Sequence, residues 1–188
     1  MSRLIALEPP YEPEVAELLA AMMPPGAPPI ALFRTMVRNR PMTAAMHGLG
    51  RYELGRGLSV SLREREIVIL RTCASCEAEY EWGVHAELFA RRAELTGRQV
   101  AVLTHGTPGE GDWTHRELLL IRLVDSLVAT RDLSDELWSD LAGEFSDVQL
   151  LDLVVLCGWY QAISQLCRAV QVDLEPTAPR FTDFRQRP

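Results

Sequence analysis

Glu81 and His85 stand four residues apart, with Tyr80 and Trp82 on either side of the glutamate. On a helix that spacing puts the carboxylate and the imidazole on one face. Such a pair beside aromatic walls suits acid–base chemistry. The imidazole titrates near neutrality, and the carboxylate can orient it or act as the base. Glu66, nineteen residues before His85, reaches the same place if the helix carrying it packs antiparallel to theirs. The same spacing also describes an exposed i, i+4 pair worth about 0.2–0.5 kcal/mol.

Just upstream, Cys73 and Cys76 form a C-x-x-C pair. A redox dithiol needs a thiolate at neutral pH, which a helix N-terminus stabilises. The spacing predicts these cysteines at the C-terminal end of a helix, where the dipole opposes an anion. Glu77, Glu79 and Glu81 follow and disfavour it further. As half a zinc site the pair lacks a second Cys or His pair at suitable spacing.

Other residues have two readings. Arg71 is a candidate to hold a substrate carboxylate, since guanidinium forms bidentate pairs; it also suits an acidic neighbour. His47 lies on an upstream helix and is a candidate to line the pocket. Tyr80 and Trp82 are candidate pocket walls, and Trp159 and Tyr160 are expected in the core or at a subunit interface. Glu77, Glu81 and His85 at i, i+4 and i+8 offer a metal face with Glu66. Helical carboxylate–histidine metal sites usually carry paired E-x-x-H motifs, which this sequence lacks, so no metal or cofactor is expected.

The elements that must position these residues read as helices throughout. EPEVAELLAAMM is helical and stops at Pro24-Pro25; residues 30–39 predict a short helix, and Pro41 starts another ending near Leu54. Ser61-Leu62-Arg63-Glu64 is a capping-box sequence, and the helix it opens is expected over 62–75 with Ile67, Val68 and Leu70 inward. A helix over about 78–92 carries the candidate site. Thr96, Thr114, Ser134 and Ser146 mark four further starts, the last opening a long apolar helix to about Val170. Arg65–Arg71 echoes Arg116–Arg122, both reading R-E-four apolars-R. The echo fits a diverged duplication of a helical unit, and equally two similar amphipathic helices in one domain.

The whole chain, 188 residues, suits a single domain (1–188) with a real core. Residues 1–27 read as an N-terminal extension with a short helix, and 176–188 as an irregular tail. The net charge is −7 and all 19 basic residues are arginine, so no basic face is available for nucleic acid. Apolar runs fall short of the roughly 20 residues of a membrane span, and the N-terminus lacks a secretory apolar region. These features predict a soluble cytoplasmic protein. Arginine in place of lysine suggests a GC-rich, bacterial genome.

RxREIVILRT…AEYEWGVH resembles the carboxymuconolactone decarboxylase family of the AhpD-like (alkyl hydroperoxidase D-like) superfamily. The likeness runs from about residue 28 to 174, through PPIALFRTMVRNRP and LCGWYQAISQL. The superfamily's peroxidase branch carries a glutamate and then C-x-x-C-x-x-x-H. Counted back from His85 its cysteines fall on Ala78 and Glu81, and its glutamate on Glu66. Glu66 and His85 thus keep the pattern, whereas Cys73 and Cys76 lie five residues too early. The resemblance implies an all-α AhpD-like helical bundle forming a homo-oligomer. It also implies a cofactor-independent decarboxylase or related proton-transfer enzyme. Its substrate would be a small carboxylated lactone or cyclic organic acid, with Glu81 and His85 moving protons and Glu66 assisting. The alternatives are a thiol-dependent antioxidant enzyme using Cys73 and Cys76, or a non-catalytic oligomeric small-molecule binder.

Overall fold

The computed structural model describes residues 2–185. Helix α1 covers Pro13–Ala21, α2 Ala31–Met36, α3 Arg40–Glu53, α4 Leu62–Ser75 and α5 Glu79–Phe89. They are followed by α6 Gly97–His105, α7 His115–Thr130, α8 Asp135–Glu144 and α9 Asp147–Val170. The described residues contain no strand; the architecture is all-α. Capping boxes open four of these helices: Ser61 with Glu64, Thr96 with Gln99, Thr114 with Glu117, and Ser146 with Gln149. Each cap contributes about 0.5–2 kcal/mol and fixes where its helix begins.

Helix α4 is the hub. Ile67, Val68, Ile69 and Leu70 are all fully buried, because α5, α6, α7 and α9 pack around it. A helix surrounded by others is apolar on every side, and this run is. Burying each of those side chains stabilises the fold by about 1.5–3 kcal/mol.

Ion pairs tie α4 to α7 in register. Arg63 Nε meets Glu117 Oε1 at 2.5 Å, and Arg116 Nε meets Glu64 Oε1 at 2.5 Å. Two turns further along both helices, Arg71 pairs with Asp125. Contacts at matching ends show that α4 and α7 run parallel, so the two R-E-apolar-R segments lie side by side.

Helix α9 is long and apolar enough to cross a membrane by length and composition, but half of its apolar window is buried within the protein. Leu150, Leu153 and Leu156 belong to the core, which accounts for the composition.

The C-terminal end departs from the sequence reading, and the N-terminal short helix does more than extend the chain. The segment after Pro176, expected to be irregular, forms a 3-10 turn over Phe181–Phe184. Phe181 and Phe184 meet Trp82 edge-on at 5.0 and 5.4 Å. The Phe181 amide donates to Glu79 Oε1 at 2.8 Å. Gly83 makes the approach possible: a Cβ there would lie 2.8 Å from the Pro179 carbonyl oxygen. Sequence periodicity could not register this, because the turn is held by side chains about a hundred residues away. Residues 186–188 of the expected tail, and residue 1, lie outside the described residues. At the other end, α1 packs through Val15 and Leu19 against Val37 and its C-terminal end walls a cavity. The N-terminal extension is therefore part of the candidate site.

Candidate active site

A tight turn through Cys76, Glu77 and Ala78 folds α5 back antiparallel on α4. Glu77 takes the left-handed conformation at φ 53°, and the Ala78 amide returns to the Cys73 carbonyl at 2.8 Å. The reversal sets Glu66 of α4 opposite His85 of α5. His85 Nδ1 lies 2.8 Å from Glu66 Oε2, and its Nε2 lies 3.6 Å from Glu81 Oε1. Glu66 is fully buried, and His85 and Glu81 nearly so. The three candidate residues converge.

A fourth residue completes the arrangement. Arg65 donates through Nε and Nη2 to Glu66 Oε1 at 2.8 and 2.7 Å, and through Nη1 to the Leu54 carbonyl at 3.2 Å. Its guanidinium carbon lies 5.0 Å from the Phe89 ring centroid. Both oxygens of Glu66 are thereby occupied, as a buried carboxylate requires. Arg65 escaped the sequence reading. The available signal was a pair of adjacent charges at the head of a fully apolar run.

The electrostatics set the proton on His85. Burial opposes an imidazolium, but the charge and hydrogen bond of Glu66, then those of Glu81, outweigh it and push the pKa up to about 9. The direction of that shift favours the imidazolium, with a proton on each ring nitrogen. Nδ1–H is spent on Glu66, and Nε2–H faces Glu81.

The Glu81 and His85 end of this polar group forms the floor of a cavity of about 370 Å³. Glu81 and His85 line it, with Tyr160 5.0 Å from the imidazole edge-on and Phe89 at 5.2 Å. The walls come from α1, α2, α3, α5 and α9, and His47 is among them. Tyr160 is in the core as expected and is also a cavity wall, because α9 packs on α5 and turns that face toward the imidazole.

Three expected substrate contacts lie elsewhere. Arg71 pairs bidentately with Asp125 at 2.6 and 3.0 Å. Its remaining donor group serves the carbonyls of Leu103 and Gly106. It clamps α4 to α6 and α7 and does not line the cavity. Tyr80 accepts from the Leu32 amide at 2.9 Å and donates to Glu175 at 2.7 Å, joining α5 to α2. Trp82 is fully buried against the C-terminal turn. On a helix, residues 80 and 82 point to other faces than 81 and 85. Flanking in sequence was not flanking in space. Glu77, a candidate metal ligand, points outward and pairs with Arg168 at 2.9 Å.

The cysteines occupy the place their spacing predicted. Cys73 lies in the last turn of α4 and Cys76 is its C-cap. Burial, then the charge of Glu81, pushes the Cys73 thiol well up. Burial raises Cys76 too, although Arg168 opposes it. Cys167 Sγ stands 4.0 Å from Glu81 Oε2, and its thiol is raised by burial and by that carboxylate. At all three positions burial outweighs whatever favours a thiolate.

No family model matches the chain, and no curated protein does. Solved structures do. A peroxidase-related protein of a Silicibacter species superposes with a TM-score of 0.79 at 13% identity, covering 95% of this chain and 96% of its own. A peroxidase-related protein with an alkylhydroperoxidase AhpD core, from Ralstonia eutropha, gives 0.77 at 12% identity, covering 92% and 93%. The fold is AhpD-like. A third structure, from Agrobacterium tumefaciens, gives 0.67 at 15% identity over 74% of this chain and 94% of its own. That protein is of unknown function and is provisionally assigned to AhpD antioxidant defence. The start of α5, where a helix terminus would activate a thiol, carries Ala78 and Glu81 and no cysteine.

Proposed function

We propose that this protein is a cofactor-independent proton-transfer enzyme, of the decarboxylase or isomerase kind, acting on a small lactone or cyclic organic acid. The observation that carries the reading is the pair of Glu81 and His85 on the floor of an apolar cavity, backed from beneath by Glu66 and Arg65. One member is held protonated and its neighbour is a carboxylate, which supplies an acid and a base side by side. In the reaction Glu81 takes a proton from a carbon next to the substrate carbonyl. His85 Nε2–H meets the oxygen on which the electrons collect, while Glu66 keeps Nδ1 protonated. Return of a proton to carbon closes the cycle. In a decarboxylation, loss of carbon dioxide replaces the first proton removal.

Convergence of Glu66, Glu81 and His85, with the last two lining a cavity, supports this reading over a scaffold without chemistry. The thiol-dependent alternative has less support, since burial and the nearby carboxylate oppose a thiolate at Cys73. Titration of free thiols before and after peroxide separates the two; a peroxide-dependent disulfide between Cys73 and Cys76 would revive it. The main test is a thermal-shift screen of small organic acids, followed by NMR of solvent deuterium entering carbon positions of the hits. Wild type incorporates deuterium and H85Q and E81Q do not, while both keep the fold. Full activity in both variants would sink the assignment.

A homo-oligomer belongs to the same proposal. Val148, Leu151 and Val155 form an exposed apolar stripe on α9, Leu151 at 69% exposure, and a contiguous apolar patch facing water marks a surface for a partner to cover. Light scattering after size exclusion tests it.

A further inference from the structure

Apart from its acid–base floor, the cavity is walled by hydrocarbon and thioether. Met22, Met23, Met36 and Met46 line it, and unbranched thioethers adapt to irregular apolar shapes. Besides the Tyr160 hydroxyl, a charged and a titratable side chain interrupt this wall. His47 and Arg51 stand four residues apart on α3, share a face, and both line the cavity. His47 Nε2 is buried without a hydrogen-bond partner. Buried ring nitrogens ordinarily have one, so this atom is poised for something the cavity receives. Arg51 forms none of the ion pairs among the described residues.

The floor does not consume the charge of Arg51. Arg65 and the His85 imidazolium are balanced there by Glu66 and Glu81. In a chain of net charge −7, an uncommitted guanidinium beside an apolar cavity selects an anion, and a planar carboxylate matches its fork. A volume of about 370 Å³ lies at the small end of ligand pockets.

We propose that the cavity takes an apolar-bodied monocarboxylate of one or two rings. Arg51 and His47 hold its carboxylate, and its ring lies among the methionines. The carboxylate on α3 is a handle that stays on the product; the reacting carbon lies at Glu81 and His85. Only that last clause rests on the proton-transfer reading.

The test is calorimetric binding of three matched pairs: benzoate, cyclohexanecarboxylate and 2-naphthoate, each against its primary amide. The proteins are wild type, R51M, R51K, H47F and H85Q. Wild type is expected to bind at least one carboxylate tenfold or more tighter than its amide. R51M loses that preference while its amide affinity stays within about twofold, R51K recovers part of it, and H47F loses about three- to tenfold. Equal binding of acid and amide, a preference that survives R51M, or no binding of any carboxylate at millimolar concentration overturns the proposal. H85Q separates the two readings. Carboxylate selectivity that persists in H85Q supports the binding site whatever becomes of catalysis. Deuterium incorporation that depends on His85, without carboxylate selectivity, sinks this inference and leaves the proton-transfer reading standing.

Discussion

Glu66 and Glu53 are buried to the same degree, both at 0% exposure, and differ in everything else. Glu66 has Arg65 on one oxygen and His85 on the other. Glu53, the last residue of α3, has no hydrogen-bond partner on either oxygen. Burial, with the charge of Asp152 nearby, pushes its pKa up to about 7. Asp152 takes the available donors itself, from Tyr52 at 2.6 Å and Ser59 at 2.8 Å. Depth therefore does not decide how a carboxylate behaves; its donors do. At Glu66 two cations keep a charge in the core and, through it, a proton on His85. At Glu53 the absence of donors favours the neutral acid.

The comparison can be broken at its strong end first. E66A leaves Arg65 and His85 facing each other without their anion, and removing one partner of such a buried group costs about 3–5 kcal/mol. Urea denaturation at pH 7 measures it; a loss under ~1 kcal/mol would mean that the pairing does little. R65M comes next, at roughly 2–3 kcal/mol, by stripping charged hydrogen bonds from Glu66. It also raises the His85 pKa further, because Glu66 then answers to the imidazolium alone. E66Q does the reverse. It moves the His85 titration from about 9 back toward 6.5, a shift that histidine NMR reads directly, and an unmoved titration would remove Glu66 as the cause.

At the weak end, replacing the carboxylate is expected to stabilise the fold rather than weaken it, although the pH dependence runs the same way as for His85. Glu53 titrates near 7 in the folded chain, above its ordinary 4.5. Its contribution to stability is complete below about pH 4.5 and is lost as pH rises through 7. His85, raised from 6.5 to about 9, contributes fully below pH 6.5 and loses its contribution as pH rises through 9. E53Q is neutral throughout and should flatten the lower segment while leaving the upper one. At pH 8 it is expected to stabilise the fold by about 1 kcal/mol, since one pKa unit corresponds to roughly 1.4 kcal/mol and the amide leaves its own polar atoms unpaired. A thermal-unfolding series from pH 4 to 10 checks both slopes.

How much of this was legible in advance varied with range along the chain. The helix starts at Leu62, Gly97, His115, Asp135 and Asp147 were readable from Ser or Thr caps, because a cap bonds within three residues of itself. The i, i+4 relation of Glu81 and His85 was equally local. Arg71 was legible as a bidentate donor but not as the partner of Asp125, fifty-four residues away. Tyr80 and Trp82 looked like walls of the site because they touch Glu81 in sequence. The turn of the helix sends them to Glu175 and to Phe181 instead.

By itself, then, the sequence determined the all-helical class, the position of the cysteines at a helix end unfit for a thiolate, and the face shared by Glu81 and His85. Each follows from interactions inside one or two turns of helix. Only the tertiary structure decided that Arg65 neutralises Glu66 and that α1 and α3 close a cavity over His85. It alone decided that the C-terminal turn packs on Trp82 and that His47 and Arg51 face the space left inside. Those outcomes depend on which helix faces meet across long loops, and no local rule of spacing or capping specifies that choice.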